Sequence, residues 1–333
     1  MNENLETKRW RIAGAAITMQ LCLGTVYAWS VYKKPLMSMH GWGDTATQIT
    51  FMIHIGALGL AAAFGGSLLD KKGPRFVATI GGILFGCGTL LAGLADQISS
   101  LPLMYLGFGL IAGLGNGCGY ITPIATLIRW FPDKRGLVTG LAVMGFGLGA
   151  FVIGKISPDM INGFMVMEGD KMIESGVAKT FFIWGALFLV VVTGAAQLYK
   201  NPPQGWLPAG FTPKQGAVSA AESLSFDQAI KRPQWWMLWG MLFLNISAGM
   251  GLISQLSPLA QNLYKSIADT SLSDVDMLKA LAVAGGFVVS ISSIFNGLGR
   301  VFWASVSDKI GRRNVFITMF VTQAVIYLLI ATQ

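Results

Sequence analysis

The chain has 333 residues, of which 53% are hydrophobic, 12% charged and 42 glycine, with a formal charge of +8 and a mean hydropathy of +0.58. This composition excludes a soluble globular domain and reads as an all-α polytopic membrane protein. The basic residues form short clusters between apolar runs, so the surplus charge reports topology and contact with anionic lipid, not a stripe for nucleic acid.

Segments of about 20 apolar residues cross a hydrocarbon core, and nine are predicted, over 11–32, 46–69, 76–95, 102–131, 137–157, 180–199, 234–258, 279–305 and 314–332. The first follows Lys8, Arg9 and Arg11 without a small-residue cleavage site, so it reads as an uncleaved helix. Of the 24 lysines and arginines, sixteen fall on the amino-terminal side of the membrane. Seven (Lys33, Lys34, Lys155, Lys171, Lys179, Lys265 and Lys279) fall on the other, and Arg300 lies inside the eighth span. The positive-inside rule then puts the amino terminus in the cytoplasm.

The second span carries His54, roughly 24 Å outward from Asp70 along a helix. A hydrogen-bonded packing role is favoured for it over titration coupled to function. Gly109, Gly113 and Gly117 in the fourth span, and Gly136, Gly140, Gly145 and Gly149 in the fifth, give smooth faces suited to close packing or to sliding. Gly113 to Gly119 is spaced like a nucleotide loop, but it lies within an apolar helix and not after a strand, so no cofactor is implied. Lys155, near the outer end of the fifth span, either draws anions in or snorkels. Gln20, Asn116, Asn245 and Gln255 either face a cavity or bridge helices, and Trp29, Trp42, Trp235, Trp236 and Trp239 read as membrane-interface residues. Cys22, Cys87 and Cys118 all lie in spans, and the two histidines are far apart, so neither a disulfide nor a metal site is expected.

The organisation is a six-helix bundle over 1–200, a cytoplasmic linker over 201–233 that opens with NPPQGWLPAG, and a second bundle over 234–333. A short interfacial helix is expected near Ser225 to Lys231; the outer segment Pro158 to Lys179 is mixed in charge and has no assigned role. FGGSLLDKKGPR, Phe64 to Arg75, returns near the end of the chain within NGLGRVFWASVSDKIGRR, Asn296 to Arg313. Asp70 matches Asp308, Gly73 matches Gly311 and Arg75 matches Arg313, each at an offset of 238 (308 − 70), and Gly66 belongs to the first copy. The duplication is six helices long, so a complete second half would need three helices beyond the ninth, and the chain reads as truncated. Such repeats build secondary transporters with the substrate between the halves. The two aspartates can pair with nearby arginines or cap backbone amides, which makes a gating latch the favoured reading over a plain charged loop.

Arg300 precedes Asp308 by eight residues, roughly 12 Å, near the middle of the core, and Tyr120 precedes Arg129 by nine at a similar depth. An arginine there is costly unless it faces a wet or anionic cavity, and its planar fork suits a carboxylate. None of the sixteen acids lies deep in a span, which favours substrate binding over a structural ion pair.

The paired loops at Asp70–Arg75 and Asp308–Arg313 resemble the signature of the major facilitator superfamily. GTVYAWSVY (Gly24–Tyr32), GCGYITPIATLIRWFPDKRGLVTGLAVMGFGLGA (Gly117–Ala150) and NPPQGW (Asn201–Trp206) resemble patterns of its oxalate/formate antiporter family. The resemblance implies that fold, with nine of twelve helices present in a monomer of the bacterial inner membrane. It also implies exchange of small organic anions (oxalate, formate or pyruvate-like acids) by alternating access. In these antiporters and the similar monocarboxylate transporters an arginine on helix 8 is implicated in holding the substrate carboxylate, and Arg300 occupies its place. Tyr27 and Tyr120 match aromatic positions that line the antiporter cavity. Monocarboxylate transporters have an aspartate one turn before the arginine where this chain has Asn296, and the oxalate exchanger's lysine on helix 11 has no counterpart here, so a dicarboxylate preference does not follow. A proton-coupled monocarboxylate symporter, or a non-transporting sensor with the same fold, are the alternatives. An enzyme is disfavoured because no Ser-His-Asp or paired-carboxylate constellation is present.

Overall fold

A computed structural model of the chain describes residues 2–169, 171–211, 226–267 and 273–332. Long helices follow the apolar runs: α1 (Leu5–His40), α2 (Asp44–Lys72), α3 (Pro74–Gln97), α4 (Leu101–Trp130), α5 (Arg135–Phe164), α6 (Val177–Ala196), α7 (Pro233–Ile267), α8 (Asp274–Ile310) and α9 (Arg312–Ala331). Eight are long and apolar enough to cross a membrane, and α9 coincides with the ninth predicted span at 20 residues. In the linker, Phe226–Ala229 forms one helical turn; the residues before it, from 212, lie outside those described.

Several elements differ from the sequence reading. The first helix does not stop at residue 32 but continues to His40 and takes Lys33 and Lys34 with it; the Lys33 ammonium is held by Asp44 and Gln255, and Lys34 donates to Asn262 in an exposed contact. Its middle tightens into a 3₁₀ turn over Gly24–Ala28. The segment after α5 folds into the one exception to an all-helical chain among the described residues: an antiparallel hairpin of β1 (Val166–Glu168) and β2 (Lys171–Glu174). A buried carboxylate ties it down. Asp96 Oδ2 accepts from the Ser175 hydroxyl and the Ala178 N–H, both at 2.7 Å, while Oδ1 meets His40 Nε2 at 2.6 Å. The turn behind the hairpin is thereby pinned to the ends of α1 and α3.

The duplication is written in the backbone as well as in the side chains. Gly73 ends α2 with φ 84° and ψ 165°, and Gly311 ends α8 with φ 82° and ψ 151°, a region that essentially only glycine enters. Gly73 N–H bonds the Leu69 carbonyl at 2.9 Å and Gly311 N–H the Ser307 carbonyl at 3.0 Å, and each glycine carbonyl accepts from the residue four further on, Val77 and Val315. Every partner repeats at the offset of 238, so one tight turn reverses the chain at the same point of each half.

Glycines set the close approaches. A Cβ at Gly113 or Gly117 would collide with His54–Ala57 or Leu58–Ala62 of α2, and one at Gly109 would press tightly on Thr50–Ile53, so this series packs α4 against α2. Contact between the bundles uses a different face of α5, where Gly147 meets Gly297 and Asn296, and Gly154 meets Gly286 and Ser290. The Ser293 hydroxyl donates to the Gly147 carbonyl at 2.8 Å and Ser290 to the Phe151 carbonyl at 3.1 Å. Gly145 and Gly149 turn instead towards α1, against Ile17–Gln20 and Leu21–Thr25.

Candidate functional site

Arg300 projects from the carboxy-terminal third of α8 towards α1 and α5. Its Nε donates to Asn296 Oδ1 at 3.1 Å, one turn earlier on the same helix, and its Nη2 donates to the Tyr27 hydroxyl of α1 at 3.4 Å. The guanidinium carbon lies 5.9 Å from the ring centre of Phe146. Tyr27 and Tyr120 stand edge-on to that same ring, at 5.1 Å and 5.0 Å between centroids. One buried phenylalanine therefore spaces the two tyrosines and offers its π face to the cation. Phe146 escaped the sequence reading because nothing distinguishes one more apolar residue in a glycine-rich helix.

Local sequence explains how each group is held. Gly24 and Gly149 let α1 and α5 approach until a Cβ at Gly24 would collide with the Phe146 carbonyl, which brings Tyr27 beside Phe146. Gln20 Nε2 donates to the Tyr120 carbonyl at 3.3 Å and joins α1 to α4. Asn296 reaches Arg300 because residues four apart share a helix face. Tyr27, Gly147, Ala150, Leu256, Ser293 and Asn296 line a narrow crevice that includes both hydrogen-bond partners of the arginine.

The electrostatics are unusual. Arg300 is partly buried, and among the described residues it has no carboxylate within ion-pair distance; both hydrogen-bond acceptors are neutral. A guanidinium has five N–H donors in a flat fork, and Nη1 donates to no described residue. An uncompensated arginine at the centre of a bilayer costs about 2.5–3.5 kcal/mol or more, which is tolerated where the group meets water or an anion.

The other predicted residues lie elsewhere. His54 is fully buried, with Nδ1 bonded to the Phe108 carbonyl at 2.7 Å and Nε2 to Asn116 Nδ2 at 3.1 Å; that amide also donates to the Leu23 carbonyl. Both ring nitrogens are thus used in joining α1, α2 and α4. Lys155 is exposed on α5, and Gln255 accepts from Lys33 Nζ at 2.8 Å. Trp29 is wholly buried against Phe108 and is a core residue, contrary to its reading as an interface residue: the long first helix carries it inward. Asp70 accepts from Arg129 Nη2 at 2.6 Å, and the same guanidinium donates to Asn201 at 3.1 Å, so this latch closes α2, α4 and the start of the linker within one bundle. Gly66 has open space beside it, Arg75 and Arg313 are exposed, and the side chain of Asp308 lies outside those described.

Residues 14–332 match the Major Facilitator Superfamily. The chain belongs to that superfamily. Its relatives include the uncharacterized transporter of this type YhjX from Escherichia coli K12, 29% identical over 94% of this chain and 69% of that protein. The oxalate:formate antiporter of Oxalobacter formigenes is 27% identical over 96% of this chain and 68% of that protein. A bacterial homologue of the human lysosomal transporter Spinster, solved in an inward-facing, unoccupied conformation, shares the fold: TM-score 0.55 at 16% identity, over 95% of this chain and 86% of that one. Members of this superfamily are transporters, so the protein is a multi-pass membrane transporter and not an enzyme.

Proposed function

We propose that the protein is a secondary carrier of small organic carboxylates that works by exchange, with Arg300 as the group that holds the substrate. The observation that carries this reading is the arginine itself, oriented by Asn296 and Tyr27 and with Nη1 donating to no described residue. A carboxylate there would take two parallel N–H···O bonds, which are stronger than neutral ones. Tyr27, Phe146 and Tyr120 would shape the wall. Relatives that carry oxalate and formate, or pyruvate, support the same class.

Alternating access is supported by where the bundles touch. Every hydrogen bond between described residues of the two bundles lies at or beyond Arg300 towards the Asp44 end: Tyr27–Arg300, Gly147–Ser293, Phe151–Ser290, Ser30–Ser257, Lys33–Gln255, Lys34–Asn262 and Asn162–Lys279. At the Asp70 end the ion pairs Arg129–Asp70 and Arg9–Asp133 both lie within the first six helices. With the amino terminus in the cytoplasm this is an inward-open carrier of the plasma membrane, acting as a monomer. Exchange is favoured over proton symport because Asn296 cannot ionise and both nitrogens of His54 are already engaged.

Counterflow of labelled oxalate and labelled formate in proteoliposomes tests the reading. Arg300→Gln removes the charge and keeps the length, and the loss of charge-assisted bonds is expected to cut exchange by about tenfold or more at unchanged protein insertion. Undiminished exchange by that variant sinks it.

A further inference from the structure

Lys33 has no assigned role, and its position is unusual for a lysine. Its side chain is 0% exposed, and its ammonium meets Asp44 Oδ1 at 2.8 Å and Gln255 Oε1 at 2.8 Å. A buried charge is normally matched by a buried, well-held counter-charge. Here the carboxylate sits on the first residue of α2, just past the turn at Gly41–Gly43, and its side chain is 59% exposed. The second ligand is neutral and belongs to α7, across the seam. One partner of Lys33 is therefore a carboxylate that solvent can draw away, and the other departs whenever α1 and α7 separate. Ser257 N–H on Ser30 and Lys34 on Asn262 cross the same seam on either side of it. Six residues part Lys33 from Tyr27, roughly 9 Å along one helix. Lys33 thus stands between the Asp44 end of the protein and the Arg300 cluster.

We infer that Lys33 is a second cationic station for the transported anion and the pin of the gate at the Asp44 end; this rests on the anion-carrier reading of Arg300. In the closed arrangement Asp44 and Gln255 occupy the ammonium. A carboxylate arriving from the Asp44 end takes the place of the Asp44 carboxylate, the Gln255 bond is lost as α1 and α7 part, and the anion moves on to Arg300. The exchange is of one carboxylate for another on the same donor, so the lysine is never left bare in the apolar interior.

The test separates the two ends of the carrier, using labelled oxalate and labelled formate in vesicles of both orientations. Lys33→Gln is expected to raise KM several-fold for entry from the Asp44 end while entry from the Asp70 end changes little. Asp44→Asn removes the competitor and lowers KM from the Asp44 end, and the gain vanishes in the Lys33→Gln, Asp44→Asn double variant. A second readout needs no substrate. Ser257, fully buried in the seam, is replaced by Cys in a chain whose Cys22, Cys87 and Cys118 are Ala, and a membrane-impermeant maleimide is applied from the Asp44 end. Asp44→Asn and Lys33→Gln each speed labelling several-fold if the pin is real. Equal KM changes from both ends, or labelling rates that match the parent, overturn the inference. Normal exchange by Arg300→Gln alongside one-sided Lys33 effects would instead overturn the Arg300 reading and leave the gate standing.

Discussion

Two arginines of this protein hold opposite positions. Arg129, at the membrane edge, pairs with Asp70 at 2.6 Å and with Asn201, and its side chain is 38% exposed. Arg300, between α8 and α1, is partly buried, and its hydrogen-bond acceptors among the described residues are an amide and a phenol. Solvent weakens the first contact, which makes it a modest fastener. The second is held in shape by bonds to neutral groups, and on the proposed function its charge is left to the transported anion.

The sharpest way to break that comparison is to give Arg300 an acid of its own. Asn296→Asp puts a carboxylate at the present amide oxygen, so an anion must compete with it. Exchange at neutral pH is expected to fall roughly tenfold, in line with charge-assisted bonds of about 1.5–3 kcal/mol. As pH falls through the pKa of the new group, its charge is lost and exchange recovers; a pH series of counterflow with an anion that stays ionised reads this out. Equal activity of both forms at every pH would mean that Arg300 does not meet the anion.

A smaller effect belongs to Tyr27→Phe. It removes one long hydrogen bond and keeps the ring against Phe146, so about 0.5–1.5 kcal/mol of orientation is lost and KM rises a few-fold with little change in protein stability. A maximal rate that falls while KM stays fixed would point to a part in the conformational step instead.

The smallest effect is expected at the fastener. Asp70→Asn breaks an exposed pair worth about 0–1 kcal/mol, whereas Gly73→Ala forces a side chain into a backbone region that costs on the order of 1–3 kcal/mol. Thermal melts of the purified protein should rank Gly73→Ala well below Asp70→Asn. The reverse order would make the ion pair, and not the turn, the element that the duplication preserves.

The sequence alone determined the class, the spans and the repeat, because hydrocarbon demands long apolar helices and a reversal at φ near +84° demands glycine; both leave local marks that need no partner to be read. It also singled out Arg300, since a charge in an apolar run is visible without neighbours, and Asn296, which follows from helical spacing. What only the tertiary structure decided is who stands opposite. Phe146 between the two tyrosines, Gly147 and Gly154 against α8, His54 locked by Asn116, and Lys33 drawn from an outer loop into the interior are all set by residues far away in the chain. Long-range contacts of this kind follow from how helices cross and which faces meet, and a single helix's pattern carries no record of the face that will cover it.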